Sequence, residues 1–243
     1  MSFADNSRSI YVTEVASGTT DKVSSDVLYG PVRVLNHNWS PDSQWLAYTR
    51  NTPTYMNRIY LYSIGEKKSY PLTDPYTDAS QPVFDANGKY LYFLASTDAG
   101  PVEDWFAQSN ADLRATQSIY LAVLPKGVVS PIAKESDEEA AKSADESAMK
   151  PETKSSDKPA DEKASADKKT ASKTVKVVVD FDGLTQRIVA LPPKAGGYDA
   201  LAAGKTGQIF YLKSAGFNRF GPDETSLQRF DLEKRKEETL LEK

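Results

Sequence analysis

The chain has no cysteine among its 243 residues and a single histidine, His37. The first absence removes disulfides, thiolate nucleophiles and cysteine-based zinc centres. The second leaves no histidine cluster for a metal, and no Ser–His–acid triad unless His37 supplies the base. His37 stands just before Trp39, in the lead-in to a strand, where an imidazole packs in a core or at its rim. No apolar run approaches the roughly 18 residues that cross a bilayer as a helix. A net charge of −4 offers no basic field to nucleic acid or anionic lipid, so neither nucleic acid nor membrane is expected as a partner. Residues 1–10 are polar and lack the apolar core of a signal peptide. The expected compartment is therefore the cytoplasm, or the periplasm if the chain is an excised fragment.

Motifs that carry chemistry are missing too. There is no G-x-S-x-G, no P-loop, no H-E-x-x-H, no G-x-G-x-x-G and no EF-hand loop. Asp74, Asp78, Asp85 and Asp98 lie near turns, where carboxylates cap backbone amides. No catalytic residue, metal ligand or cofactor is assigned to this chain.

What is present is strand. Short runs of Tyr, Val, Ile, Leu and Phe recur between Gly, Pro, Asn, Asp and Ser, at residues 10–15, 45–49, 58–64, 90–95, 118–124, 175–180, 208–212 and 227–232. In Ile59-Tyr60-Leu61-Tyr62 the alternation gives two distinct faces. The runs also repeat. Trp39-Ser40-Pro41-Asp42-Ser43-Gln44-Trp45-Leu46-Ala47-Tyr48 aligns with Phe84-Asp85-Ala86-Asn87-Gly88-Lys89-Tyr90-Leu91-Tyr92-Phe93, 45 residues further on. Each reads as strand end, polar turn and new strand, at the spacing of four-stranded propeller blades. The following strand repeats in residues 8–13, 57–62, 117–122 and, more weakly, 226–232. Outer strands are expected at residues 22–25, 68–73, 128–133 and 238–241.

The expected fold is therefore all-β: a partial β-propeller of four-stranded antiparallel blades, about three and a half of them. Residues 1–133 would hold half a blade and two whole ones, and 175–243 a further blade. Between them, residues 134–174 hold nine lysines and eleven acidic residues, no aromatic, and only alanine and Met149 as apolar side chains. Such a stretch cannot bury enough surface to offset its ordering entropy, so a disordered insertion is expected. Two loops carry aromatics outside the repeat. Trp105 and Phe106 lie in one, and Phe217, Arg219 and Phe220 in the other. These five are the candidate contacts for a peptide or a neighbouring domain. Roughly four to eight blades close a ring, so this one stays open and leaves Ile10, Val12 and Tyr211 wanting a neighbour.

The turn at Trp39 to Ser43, with its following Trp-Leu-Ala-Tyr strand, resembles the repeat of TolB-like propellers, prolyl oligopeptidase propellers and tricorn protease. Asp180-Phe181-Asp182-Gly183-Leu184, with Arg187-Ile188-Val189 and Leu191-Pro192, resembles tricorn-type serine peptidases more narrowly, as does the strand-turn-strand ending from Phe230 to Glu237. The resemblance implies a non-catalytic propeller segment that gates or channels peptides to a catalytic domain outside this chain. It implies further partners: the missing blades, PDZ-like and catalytic domains, peptides, and room for a homo-oligomeric parent. The alternative is a TolB-like scaffold that binds a protein partner.

Overall fold

The computed structural model describes residues 1–26, 35–54, 56–96, 116–133, 175–214 and 225–242. Fifteen strands and one short 3-10 helix are formed among them. They build four antiparallel sheets, each a meander in chain order. Sheet I holds β1 (Ser2–Ala4), β2 (Ser9–Thr13) and β3 (Thr20–Ser25). Sheet II holds β4 (His37–Trp39), β5 (Trp45–Asn51), β6 (Asn57–Ser63) and β7 (Lys68–Pro71). Sheet III holds β8 (Asp78–Phe84), β9 (Tyr90–Ser96), β10 (Ser118–Val123) and β11 (Ile188–Ala190). Sheet IV holds β12 (Gly197–Ala203), β13 (Gln208–Ser214), β14 (Thr225–Asp231) and β15 (Lys236–Glu242). All belong to one compact unit, residues 1–132 with 175–243. The remainder, 133–174, carries the charged insertion and is described only at Ala133.

Period-two alternation makes each central sheet two-faced, which is why the sheets stack. Along β9, Leu91, Phe93 and Ala95 point into the core shared with sheet II, while Tyr92 and Leu94 point into the core shared with sheet IV. The core between sheets I and II is built on Ile10, Leu46, Tyr48 and Tyr62. Leu91, Tyr92 and Leu94 have no exposed surface. Each such side chain contributes about 1.5–3 kcal/mol by burial.

The two aligned turns are hairpins. Ser43 donates its N–H to Ser40 O at 2.9 Å, and Gly88 donates to Asp85 O at 2.9 Å. Both donors hold a left-handed backbone, with φ of 58° and 68°. At Gly88 the backbone is also approached closely. A Cβ there would stand 2.7 Å from Val177 Cγ2.

The structure corrects the strand reading beyond residue 124. Residues 128–133 are irregular, with a turn at 131–132, rather than an outer strand, after Gly127 takes φ of 82°. Val128 and Ile132 instead pack against the core between sheets III and IV. The fourth strand of sheet III is β11, with Val189 opposite Leu121. The insertion is thus spliced between neighbouring strands of one sheet, not between blades, and sheet IV begins only at Gly197. Nor do residues 175–180 form a strand. They are irregular, with Val177 buried in the core between sheets II and III. Its N–H donates to Asp42 Oδ2 at 2.8 Å. Phe181 follows, stacked on Tyr70 at 4.4 Å and tilted against Trp45 at 5.9 Å. Leu184 is buried in the same core, in the 3-10 turn Leu184–Arg187. Arg187 then donates to the carbonyls of Val123, Leu124, Asp180 and Asp182.

Sheet I has three strands where half a blade was expected. The faces left without a neighbour also differ from expectation. Ile10 and Val12 pack toward sheet II, and Tyr211 toward sheet III. The outward face of sheet I carries the stacked pair Phe3 and Tyr11, 5.3 Å apart. On sheet IV the outward row is Leu212, Leu227 and Leu241, opposite one another across three strands. Leu241 is 67% exposed.

Candidate functional site

The first strands of successive sheets approach one another: β8 lies against β4 on one side and β12 on the other. They share no hydrogen-bonded ladder, and side-chain amides bridge them instead. Asn38 Oδ1 accepts the Phe84 N–H at 3.0 Å. Gln81 Oε1 accepts the Leu201 N–H at 2.8 Å, and Gln81 Nε2 donates to Asp199 Oδ1.

Strands β8 and β12 carry a bulge at the same place. Ser80 pairs with Leu94 and Val83 with Tyr92, while Asp199 pairs with Leu212 and Ala202 with Phe210. One extra residue therefore enters each inner strand. Gln81 and Ala200 sit in these bulges, both with φ of 51°. That backbone is disfavoured for any residue with a Cβ, and such positions gather at binding and catalytic sites. In β12 the bulge is held by Asp199, whose Oδ1 accepts the Ala200 N–H at 2.7 Å.

Between the three strands lies a cleft of about 260 Å3, lined by residues 36–38, 81–83 and 199–201. Pro82, Val83 and Leu201 are its buried apolar members, and Asp199 is its exposed carboxylate. His37 is half-buried there, with Nδ1 3.0 Å from Leu35 O. This places the lone histidine on the cleft wall. No group of histidine, aspartate and glutamate able to hold a metal ion is present among the described residues.

A second polar centre is structural. Asp85 is fully buried. Its carboxylate accepts the Tyr92 hydroxyl at 2.9 Å, the Asn87 N–H at 2.9 Å and, from the turn between β12 and β13, the Gly207 N–H at 2.8 Å. Burial, with the neighbouring Asp85 charge, pushes the Tyr92 phenol far above the ordinary tyrosine range. Burial, reinforced by Glu237, likewise pushes Tyr198 up to about 12. Asp74 and Asp78 also act on backbone. Asp74 takes the N–H groups of Tyr76 and Thr77, and Asp78 takes that of Asn57.

The five aromatic-loop candidates, Trp105, Phe106, Phe217, Arg219 and Phe220, lie outside the described residues, as does Asp98. The cleft residues that matter, Gln81 and Asp199 above all, were not singled out by the sequence. A proline inside a strand, Pro82, was the one available sign of a bulge. Nothing in Asp199-Ala200 marked its counterpart.

Consecutive four-stranded antiparallel sheets, packed face to face with their first strands gathered around a polar cleft, define a segment of a β-propeller. The chain belongs to the family of the tricorn protease second β-propeller domain, whose model matches residues 1–243. It is 26% identical over 212 residues to a tricorn protease homolog of Saccharolobus solfataricus, a match covering 84% of this chain and 16% of that protein. It is 26% identical over 211 residues to tricorn protease homolog 1 of Streptomyces coelicolor, covering 83% and 18%. The chain thus spans less than a fifth of the length of these two curated relatives. Among solved structures, the crystal structure of the tricorn protease superposes with a TM-score of 0.64 at 14% identity, covering 99% of this chain and 21% of that one. A TolB structure from Agrobacterium tumefaciens superposes at 0.50 with 12% identity, covering 96% and 56%. At these identities the superpositions speak for the fold alone. No helix among the described residues is long and apolar enough to cross a membrane.

Proposed function

We propose that this chain is a non-catalytic propeller segment of a tricorn-like serine peptidase, and that its inner strands line a path along which peptides reach a catalytic domain elsewhere in the parent. The observation that carries this reading is the cleft among β4, β8 and β12. It is polar, holds bulged backbone on two of its three walls, and lies where the blades gather. A path of this kind works by shape and by exposed main-chain groups, so it needs no catalytic side chain. We place its work in the cytoplasm. The partners that fit are further blades, covering Leu212, Leu227 and Leu241 at one end and Phe3 and Tyr11 at the other, together with the parent's remaining domains and its peptides.

The test is to narrow the cleft in a parent that carries the peptidase domain. Asn36→Trp adds bulk at the rim. The Asn36 carbonyl that accepts the Thr49 N–H at 2.9 Å belongs to the backbone and is unaffected. The kcat/KM for a long peptide should fall, while that for a di- or tripeptide stays unchanged. Equal values for both lengths in variant and wild type would overturn the reading. The chain alone should not turn over a fluorogenic peptide library.

A further inference from the structure

The cleft has a chemical bias that a plain passage does not require. Among the described residues, its lining holds one carboxylate and no lysine or arginine. Asp199 is exposed but not loose. Its Oδ1 takes hydrogen bonds from the Ala200 N–H and from Gln81 Nε2, which fix the carboxylate on the cleft wall. An ionised carboxylate has about four acceptor positions, so capacity remains for a donor entering the cleft. Pro82, Val83 and Leu201 supply apolar contact beside it, and Asn36 and His37 supply polar contact from β4 and its lead-in. The left-handed turns at Gln81 and Ala200 fall beside this carboxylate, so the strained backbone and the charge mark one spot. Strain retained at a cleft, next to a fixed charge, is the arrangement expected of a binding site rather than of a packing accident.

We propose that the cleft binds a positively charged group of an extended peptide, its α-amino terminus or a lysine or arginine side chain, seated against Asp199. The proposal rests on the peptide-path reading above and adds a preference to it. Peptides carrying such a group are held, and capped neutral or acidic ones are not.

His37 makes the test direct, because the one imidazole of the chain stands on the cleft wall and gives isolated proton resonances. Three Gly/Ser hexapeptides would be titrated into the full chain. One has a free amino terminus, one is capped at both ends, and one is capped but carries a central lysine. A charged peptide should shift the His37 signals saturably, at least about fivefold more tightly than the capped neutral one, and added salt should shrink the difference. A response to the free amino terminus alone identifies the chain end as ligand. A response to lysine alone identifies the side chain. Asp199→Asn keeps an oxygen for Ala200 and Gln81 and should erase the preference, whereas Asp199→Glu keeps the charge and should retain it. Equal binding of neutral and charged peptides, or a preference that survives in Asp199→Asn, would overturn the proposal and leave the peptide path standing. Silence of the His37 signals toward all three peptides would sink both.

Discussion

The two aligned hairpins, residues 39–45 of sheet II and 84–90 of sheet III, solve one problem in different ways. In sheet III the first turn residue is Asp85, and its buried carboxylate grips Gly207 of the next sheet directly. In sheet II that position is Ser40, which is spent locally. Its hydroxyl accepts the Trp45 N–H at 2.9 Å and donates to Asp42 Oδ1 at 2.7 Å. The tie onward moves two residues along, to Asp42 Oδ2, and its partner is Val177, in the segment that leads to the edge strand of sheet III, where the partner of Asp85 is a turn residue of sheet IV. Both pairs of sheets meet face to face through buried side chains, and between sheets II and III Val177, Phe181 and Leu184 add a wedge to that contact. What recurs is a task, a turn carboxylate holding the backbone amide of whatever packs next, and not a residue type.

The comparison predicts unequal costs. Asp85→Ala leaves a buried phenol and two amides without their acceptor and should lower unfolding stability by about 3 kcal/mol. Asp42→Ala, at a more exposed turn, should cost about 1 kcal/mol. Urea denaturation followed by tryptophan fluorescence measures both, and equal losses would show the two ties to be equivalent. Phe181→Ala removes the ring that anchors the wedge on Tyr70 and Trp45 and should cost about 2 kcal/mol. If it costs nothing, the wedge adds nothing to the direct packing of sheets II and III.

Tyr92→Phe should cost about 1 kcal/mol at neutral pH. It should also flatten the alkaline limb. The folded-state pKa of Tyr92 lies above the unfolded value of about 10. The stability it contributes is thus fully present below pH ~10, and is lost as the pH climbs from there toward the folded value, while the unfolded chain ionises first. A pH series of melts on the variant and the wild type reads this directly. The smallest expected contrast is between two glycines. Gly88→Ala meets both a positive φ and Val177 at 2.7 Å, while Gly207→Ala meets a positive φ with nothing nearer than 3.7 Å. The first should cost about 2 kcal/mol and the second about 1. A reversed order would mean that Val177 yields freely.

The blade repeat was legible because aromatics close and open strands at one spacing, and alternation in β6 separates its two faces, whereas β9 is apolar throughout because both of its faces are buried. The run from residue 175 to 191 was not. Its valines satisfy a strand pattern, but Asp180-Phe181-Asp182-Gly183 turns the chain before a ladder forms, and the true edge strand is only Ile188–Ala190. The decoy at residues 128–133 failed for a complementary reason. Gly127 and Pro131 break the extension, so Val128 and Ile132 pack as loop side chains while Val129 stays exposed. The cleft was hidden by the same logic. A bulge adds one residue without changing composition, and Gln81 and Asp199 meet across 118 positions of sequence.

A single cut anywhere in residues 134–174 would turn the molecule into two polypeptides, and sheet III would then be an intermolecular sheet. The C-terminal piece would contribute β11 to the N-terminal piece's β10, through Leu121 opposite Val189, and would keep Phe181 lodged on Tyr70. The insertion is rich in lysine, so brief trypsin treatment supplies the cut. The nicked material should migrate as one species on a native gel and as two on a denaturing gel. The propeller segment is in that sense already a two-part protein that happens to be made on one chain.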